Sequence, residues 1–165
     1  MAKRHGNLFE QICDPDNLRL AHHKARLGKT SMVNVQRFEQ NLEGNLAAIR
    51  RSLVEGSFRT APYHSKMIHV PKTRVIYVLP FAPDRIVQHA LLNILEPIWD
   101  GLMIDDSYAC RIGKGQHSGS RRTMEFVRRY KYCLKADVSK FYPSIDHDVL
   151  FEIIRKKIDR FYTLS

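Results

Sequence analysis

The residues of this chain best suited to chemistry are a carboxylate that closes an apolar run and the aromatic pair that follows it. They lie in KADVSKFYPSI, Lys135–Ile145, where Asp137 ends the run begun at Tyr132 and Phe141-Tyr142 come next. A carboxylate at the end of a buried strand holds a divalent cation at a fixed place. Nucleotidyl transfer uses such anchors, because two carboxylate-held metal ions activate the attacking hydroxyl and neutralise the leaving group. A lone strand-end aspartate equally suits a capping or solvated role. Taken alone, Asp137 leaves both open.

Charge gives the second signal. The 165 residues carry 27 Lys and Arg against 17 Asp and Glu, a net of +10. The excess is concentrated. Residues 111–135 hold eight bases (Arg111, Lys114, Arg121, Arg122, Arg128, Arg129, Lys131 and Lys135) and one acid, Glu125. Such a stripe attracts phosphate backbones by Coulomb energy and counterion release. It also suits a solvated helix face kept basic for solubility.

Several classes are excluded. No apolar run approaches the roughly 18 residues of a membrane span. The basic start, Met1-Ala2-Lys3-Arg4-His5, is not followed by an apolar signal segment. Three scattered cysteines (Cys13, Cys110 and Cys133) offer no disulfide framework and no zinc knuckle, and they fit a reducing cytosol. The histidines show no ligand spacing, and no phosphate-binding P-loop pattern is present.

The elements that must position these residues alternate between helices and a few short strands. Pro15 and Gly28 bracket a short helix over 15–28. Phe38, Leu42, Leu46, Ile49 and Leu53 predict one helix over 35–54, ended by Gly56. Ser65–Val70 and Arg74–Leu79 read as a hairpin with Pro71-Lys72-Thr73 at its tip. Pro83 opens a second helix, Asp84 to about Trp99. Residues 105–119 are loop-like, and a basic helix follows at about 120–130. Tyr132–Val138 reads as a buried strand. Asp146 is the expected N-cap of a last helix whose face is Val149, Leu150, Ile153, Ile154 and Ile158. The expected class is α+β, helices around a small antiparallel sheet.

Three segments carry a family resemblance. Lys135–Ile145 resembles the first palm block of reverse transcriptases, an aspartate followed five residues later by Phe or Tyr. Upstream, PKTRVIYVLPFAPDRIVQHALLNIL (Pro71–Leu95) resembles the bacterial fingers block, P-K-x-R-x-I followed by D-R-[IL]-V-Q-x-A-L. Between them, DSYACRIGKGQHSG (Asp106–Gly119) resembles the next block, S-Y-[AG]-[CF]-R-x-G-[KR]-x-x-H. The blocks stand in the family's order and spacing and cover about residues 60–158. The opening KRHGNLF (Lys3–Phe9) and the Tyr108-Ala109-Cys110-Arg111 variant most resemble the enzymes of diversity-generating retroelements, found in bacteria and phages. Group II intron and retron enzymes are the near alternatives.

The resemblance implies a right-hand polymerase: an N-terminal helical segment over 1–60, fingers over 61–131, and the start of the palm over 132–165. It implies an RNA-directed DNA polymerase that joins a deoxynucleoside triphosphate to a primer 3′-hydroxyl with Mg²⁺, or Mn²⁺ in its place. Asp137 becomes the first metal-binding carboxylate, and Val138 offers its backbone carbonyl. Tyr142 matches the aromatic gate against a ribose 2′-hydroxyl, or else packs in the core; Phe141 is assigned to the core. Lys72 and Arg74 match the pair that clamps the incoming triphosphate, and their charge suits a polyanion. Arg85 and Gln88 either face template or support the hairpin. Arg111, Lys114, His117, Arg121 and Arg122 approach template or primer phosphates.

One part of the pattern is missing. These enzymes complete the metal site with a Tyr-x-Asp-Asp strand pair. The chain's Asp105-Asp106 precedes the basic block and lacks the tyrosine. The expected object is therefore a fragment of the enzyme, inactive by itself. The other readings are a half-enzyme completed by a second chain and a non-catalytic basic RNA-binding module. Expected partners are template RNA, DNA primer, deoxynucleotides and a small basic oligomeric accessory protein, without membrane, in a bacterial cytoplasm. An unpaired first palm strand should expose a sheet edge and favour self-association unless it is covered.

Overall fold

The computed structural model describes residues 4–158. Its elements run α1 (Leu8–Ile12), α2 (Pro15–Arg26), α3 (Val33–Glu39), α4 (Leu42–Val54), β1 (His64–Ile68), β2 (Arg74–Val78), α5 (Ile86–Asp100), α6 (Gln116–Arg129) and α7 (His147–Arg155). A wide helical turn at Phe81–Arg85 precedes α5, and a 3₁₀ turn spans Tyr142–Ser144. The described chain is α-rich, with one two-stranded antiparallel sheet. None of its helices is long and apolar enough to cross a membrane. It divides into two compact units, one running through Glu96 and taking in Ile158, the other Pro97–Lys157.

The first unit has a helical core. Asp14 caps α2, its carboxylate accepting from the backbone N–H groups of Asp16 and Asn17. Those amides have no partner inside the helix, so the cap stabilises it. Past the helix, Gly28 takes φ +69°, a left-handed turn open to glycine. Leu18, Ala21 and Ala25 of α2 are buried with Val35, Leu46, Ile49, Ile86, Val87 and Ala90. Small residues on α2 let its neighbours approach closely. Asn17 ties three helices together by its side chain alone. Its Nδ2 donates to the carbonyls of Ile12 and Ala90, each at 3.1 Å, and its Oδ1 accepts from Asn93 at 2.9 Å.

The helix expected over 35–54 is two helices. Asn41 leaves helical geometry at φ −136°, ψ 57°. The break is stabilised locally, because Asn45 Nδ2 donates to the Phe38 carbonyl at 2.8 Å. That carbonyl would otherwise be left over at the end of α3.

An aromatic cluster closes the core. The His22 ring stacks on Phe38 at 5.7 Å and meets Phe81 edge-on at 6.1 Å; Phe38 and Phe81 meet at 6.0 Å. His22 is buried. Glu39 Oε1 lies 3.2 Å from His22 Nε2 and 2.8 Å from Arg26 Nε as ion-pair contacts outside hydrogen-bond alignment. Burial lowers the His22 pKa and outweighs Glu39, which raises it.

In the second unit, Asp146 caps α7 as expected, accepting from the amides of Asp148 and Val149 at 2.9 and 3.1 Å. The expected buried strand is absent. Tyr132–Val138 is irregular and exposed, with Tyr132 and Leu134 retaining 92% and 91% of their surface. Strand character needs a neighbour to accept and donate backbone hydrogen bonds, and no described segment pairs with these residues. Phe141, expected in the core, is exposed, as are Val149, Leu150 and Ile153 of the α7 face. Ile153 lines an apolar hollow with Trp99, Leu102 and Met103.

Two outcomes follow. Asn17→Ala leaves two carbonyls short of a donor and should cost about 1–3 kcal/mol in chemical denaturation. The native His22 takes up its proton at lower pH than the unfolded chain, so stability should fall as pH drops below about 6.5. His22→Phe keeps a ring without the titration, and its unfolding free energy should fall less between about pH 7 and about pH 5.5.

Candidate nucleic-acid interface

The hairpin is fixed at its base and free at its tip. β1 pairs with β2 in the register His64–Val78, Lys66–Ile76 and Ile68–Arg74 on one face, with Ser65–Tyr77 and Met67–Val75 on the other. Lys72 stands in the connecting turn and Arg74 at the first position of β2, both exposed. Neither has an ion pair with a described residue, so both remain available to an anion.

A buried carboxylate that the sequence reading did not single out holds this hairpin's entry. Asp84 is 2% exposed, and its Oδ1 accepts from the Ala61 amide at 3.0 Å. Its Oδ2 is buried with no hydrogen-bond partner among the described residues. The available signal was an acid directly before an apolar helix, which reads as an ordinary helix start. The partner, 23 residues away, leaves no trace in local pattern.

Next to it, Arg85 is half-buried and Gln88 is exposed on α5. His89 is held below its ordinary pKa by burial first, then by the charge of Arg85. Arg85 therefore adds positive potential at the start of α5.

The basic stripe sorts into two groups. Three of its cations are engaged within their own unit. Arg111 is bonded to Asp100 Oδ1 at 2.6 Å and donates to the carbonyls of Ile104 and Asp100 at 2.9 and 3.2 Å. It fastens the loop to the end of α5. That hydrogen bond keeps the Asp100 carboxyl below its usual range. Lys114 donates to the Asp105 carbonyl at 2.7 Å and lies 3.2 Å from its carboxylate. Arg122 pairs with Asp106 at 2.9 Å and Glu125 at 2.8 Å and lies over the Phe126 ring at 4.5 Å. Asp106 also accepts from the Tyr108 hydroxyl, and Arg122 and Tyr108 together lower its pKa. Asp105 and Asp106 are thus partners of the basic loop.

Tyr108 in turn sits against Gly119, where an added Cβ would meet the ring's Cγ at 3.1 Å. The loop is drawn onto α6 by that approach and turned by left-handed Cys110 and Gly113.

The other group points outward. α6 has no buried residue. Arg121, Arg128 and Arg129 make no ion pair with a described residue, and His117 in the first turn is exposed.

The aspartate segment is open. Asp137 and Val138 are exposed, Lys140 takes φ +50°, and Tyr142 keeps 82% of its surface, its ring 5.3 Å from that of Phe141. No three His, Cys, Asp or Glu side chains gather to hold a metal among the described residues. Asp137 by itself does not fit a two-metal site. The residues expected to meet a nucleotide divide between the units, Lys72 and Arg74 in the first, Asp137 and Tyr142 in the second.

No family model matches the chain. Curated proteins do. The chain is 25% identical over 166 aligned positions to protein YkfC of Escherichia coli strain K12, covering 94% of this chain and 43% of that protein. It is 25% identical over 152 positions to nuclear intron maturase 4, mitochondrial, of Arabidopsis thaliana, covering 92% of this chain and 18% of that one. The chain is thus distantly similar to intron maturases. A third match, nuclear intron maturase 1, mitochondrial, of Arabidopsis thaliana, is 30% identical over 79 positions, 48% of this chain and 11% of the maturase. The chain spans less than half the length of each relative.

If α6 meets RNA, replacing Arg121, Arg128 and Arg129 together by Ala should weaken that binding at low salt and flatten log K against log salt by about 2 to 3, roughly 0.7–1 per lost phosphate contact. Arg111→Ala should instead lower the melting temperature and leave that slope unchanged.

Proposed function

We propose that the chain is the fingers and first palm portion of an RNA-directed DNA polymerase of the reverse transcriptase and maturase type. What carries the reading is the ordered set of three blocks, Pro71–Leu95, Asp106–Gly119 and Lys135–Ile145, together with similarity to maturases along most of the chain. In the working polymerase, Asp137 is one of the carboxylates that hold Mg²⁺, Tyr142 limits the sugar, and Lys72 and Arg74 neutralise the incoming triphosphate. Those cations suit the role because they are exposed and basic at a hairpin tip. Arg121, Arg128 and Arg129 hold template or primer backbone. No cluster of carboxylates stands around Asp137 among the described residues, and on this reading polymerisation requires companion carboxylates brought beside it.

The names of the maturase relatives favour an intron RNA as the nucleic acid served. The Lys3–Phe9 opening and Tyr108–Arg111 favour a diversity-generating retroelement and its template RNA. A second reading is a basic RNA-binding module that does no chemistry. It is favoured by the outward-facing arginines of α6 and the isolation of Asp137.

Primer extension on an RNA template with Mg²⁺ separates these readings. It compares the 165-residue chain, a form continued through its genomic reading frame, and Asp137→Ala in that continued form. The expected result is extension by the unmutated continued form only. Extension by the 165-residue chain would overturn its expected inactivity, and extension by the Asp137→Ala form at an undiminished rate would overturn the assignment of Asp137. RNA binding without extension by any form selects the binding module.

A further inference from the structure

The end of α2 and the start of α5 gather bases without an acid. Arg85, His89 and Asn93 recur at every fourth position, a row that runs from the wide turn into α5. Asn93 joins this row to α2: its Oδ1 accepts from Lys24 Nζ at 2.6 Å, and its Nδ2 donates to Asn17. Lys29, in the turn after α2, folds back on the helix, its Nζ donating to the Ala25 carbonyl at 3.3 Å. Lys29, Arg85 and His89 are half-buried, and Lys24 is exposed. The segments that build the patch, His22–Met32 and Arg85–Leu95, contain no acidic residue. The charged groups that act on His89 are Arg85 from its own row and Lys29 and Lys24 from α2 and its turn. Burial first, and then these three charges, hold the ring below its ordinary pKa.

Like charges gathered without a counter-charge repel one another until an anion joins them. Lys24 and Lys29 also complement the negative end of α2. That role leaves Arg85 and His89 without a counterpart, and Arg85 has neither an ion pair nor a hydrogen bond with a described residue. Each lysine uses one of its ammonium donors in the bonds above and keeps the others. Three cations beside an imidazole that can become a fourth exceed the single charge of a phosphodiester. They suit a phosphate group carrying two charges or more, whose oxygens accept from Arg85 in pairs and from each lysine singly.

We propose that Lys24, Lys29, Arg85 and His89 form an anion site for a multiply charged phosphate, free or at the end of a chain. His89 takes up a proton as the anion binds, because a dianion beside the ring favours its charged form. The site shares no residue with the nucleotide and backbone contacts of the proposed function, and it requires neither Asp137 nor Mg²⁺.

Proton NMR of the His89 imidazole in the full chain, titrated from about pH 8 to about pH 5 at constant ionic strength, tests it. The signal is identified by its loss in His89→Gln. With pyrophosphate present the titration midpoint should move up by about one pH unit. Arg85→Gln and, at an exposed position, Lys24→Gln should each weaken pyrophosphate binding, followed at that ring, by about tenfold, the low end for a charged hydrogen bond. Lys72→Gln with Arg74→Gln should leave the response as in the wild type, which tells this site from pyrophosphate held at the hairpin tip. A short RNA with a 5′-phosphate identifies a chain end as the source if it moves the midpoint and its 5′-hydroxyl counterpart does not. A response to pyrophosphate alone identifies a free anion. The proposal is overturned if pyrophosphate leaves the midpoint in place, if Arg85→Gln and Lys24→Gln both bind as the wild type does, or if the 5′-hydroxyl RNA moves the midpoint as far as the 5′-phosphorylated one. A failed primer extension would remove the polymerase reading and leave these measurements standing.

Discussion

The hydrogen bond from the Ala61 amide to the buried Asp84 carboxylate is the constraint on which the hairpin depends. A two-stranded ribbon is marginal in water by itself, and this one has both faces largely exposed. What orients it is its attachment. Asp84 opens toward the chain three residues before β1, and Phe81, just upstream, enters the ring cluster with His22 and Phe38. The helical core thereby reaches the base of the ribbon. Lys72 and Arg74 inherit their placement from that junction. Leaving Oδ2 of a buried carboxylate without a partner is costly, and the bond its other oxygen accepts from Ala61 offsets part of that cost.

Electrostatics in the second unit show why a count of charges is a poor map of a binding surface. Arg111, Lys114 and Arg122 belong to the most basic stretch of the chain, yet each faces an acid in the folded unit. They shape the loop between α5 and α6, and they leave α6 to present its remaining arginines outward. The same helix therefore has a structural edge and an available edge. Exposed pairs of this kind add little stability singly. Arg111 differs because its guanidinium also satisfies two backbone carbonyls.

Much of this could be read in one dimension, where the cause is local. The Asp146 cap, the glycine after α2 and the alternating hairpin all act within a few residues. The division of α3 from α4 was hidden because Phe38 and Leu42 keep helical spacing across Asn41, and periodicity does not report a single backbone angle. The strand at 132–138 was misread because apolar content describes a candidate strand, while pairing makes one. The roles of Arg111, Lys114 and Asp84 were illegible for a third reason: their partners lie 11, 9 and 23 residues away. The candidate catalytic residue was found by motif, and its surroundings were not.

The open run Tyr132–Val138 has a thermodynamic consequence for Asp137. Fixing backbone costs about 1–2 kcal/mol per residue, so ordering seven residues as a strand costs roughly 10 kcal/mol. Within the described residues no ladder offsets that cost. Any strand that pairs there supplies the offset and, in the same event, fixes the carboxylate in space. If Asp137 holds a cation as proposed, its cation affinity and strand docking are linked functions, each raising the other by the same factor. The aspartate would behave as one term of an assembly equilibrium: its competence to hold an ion would be set by the concentration and fit of whatever strand lies alongside.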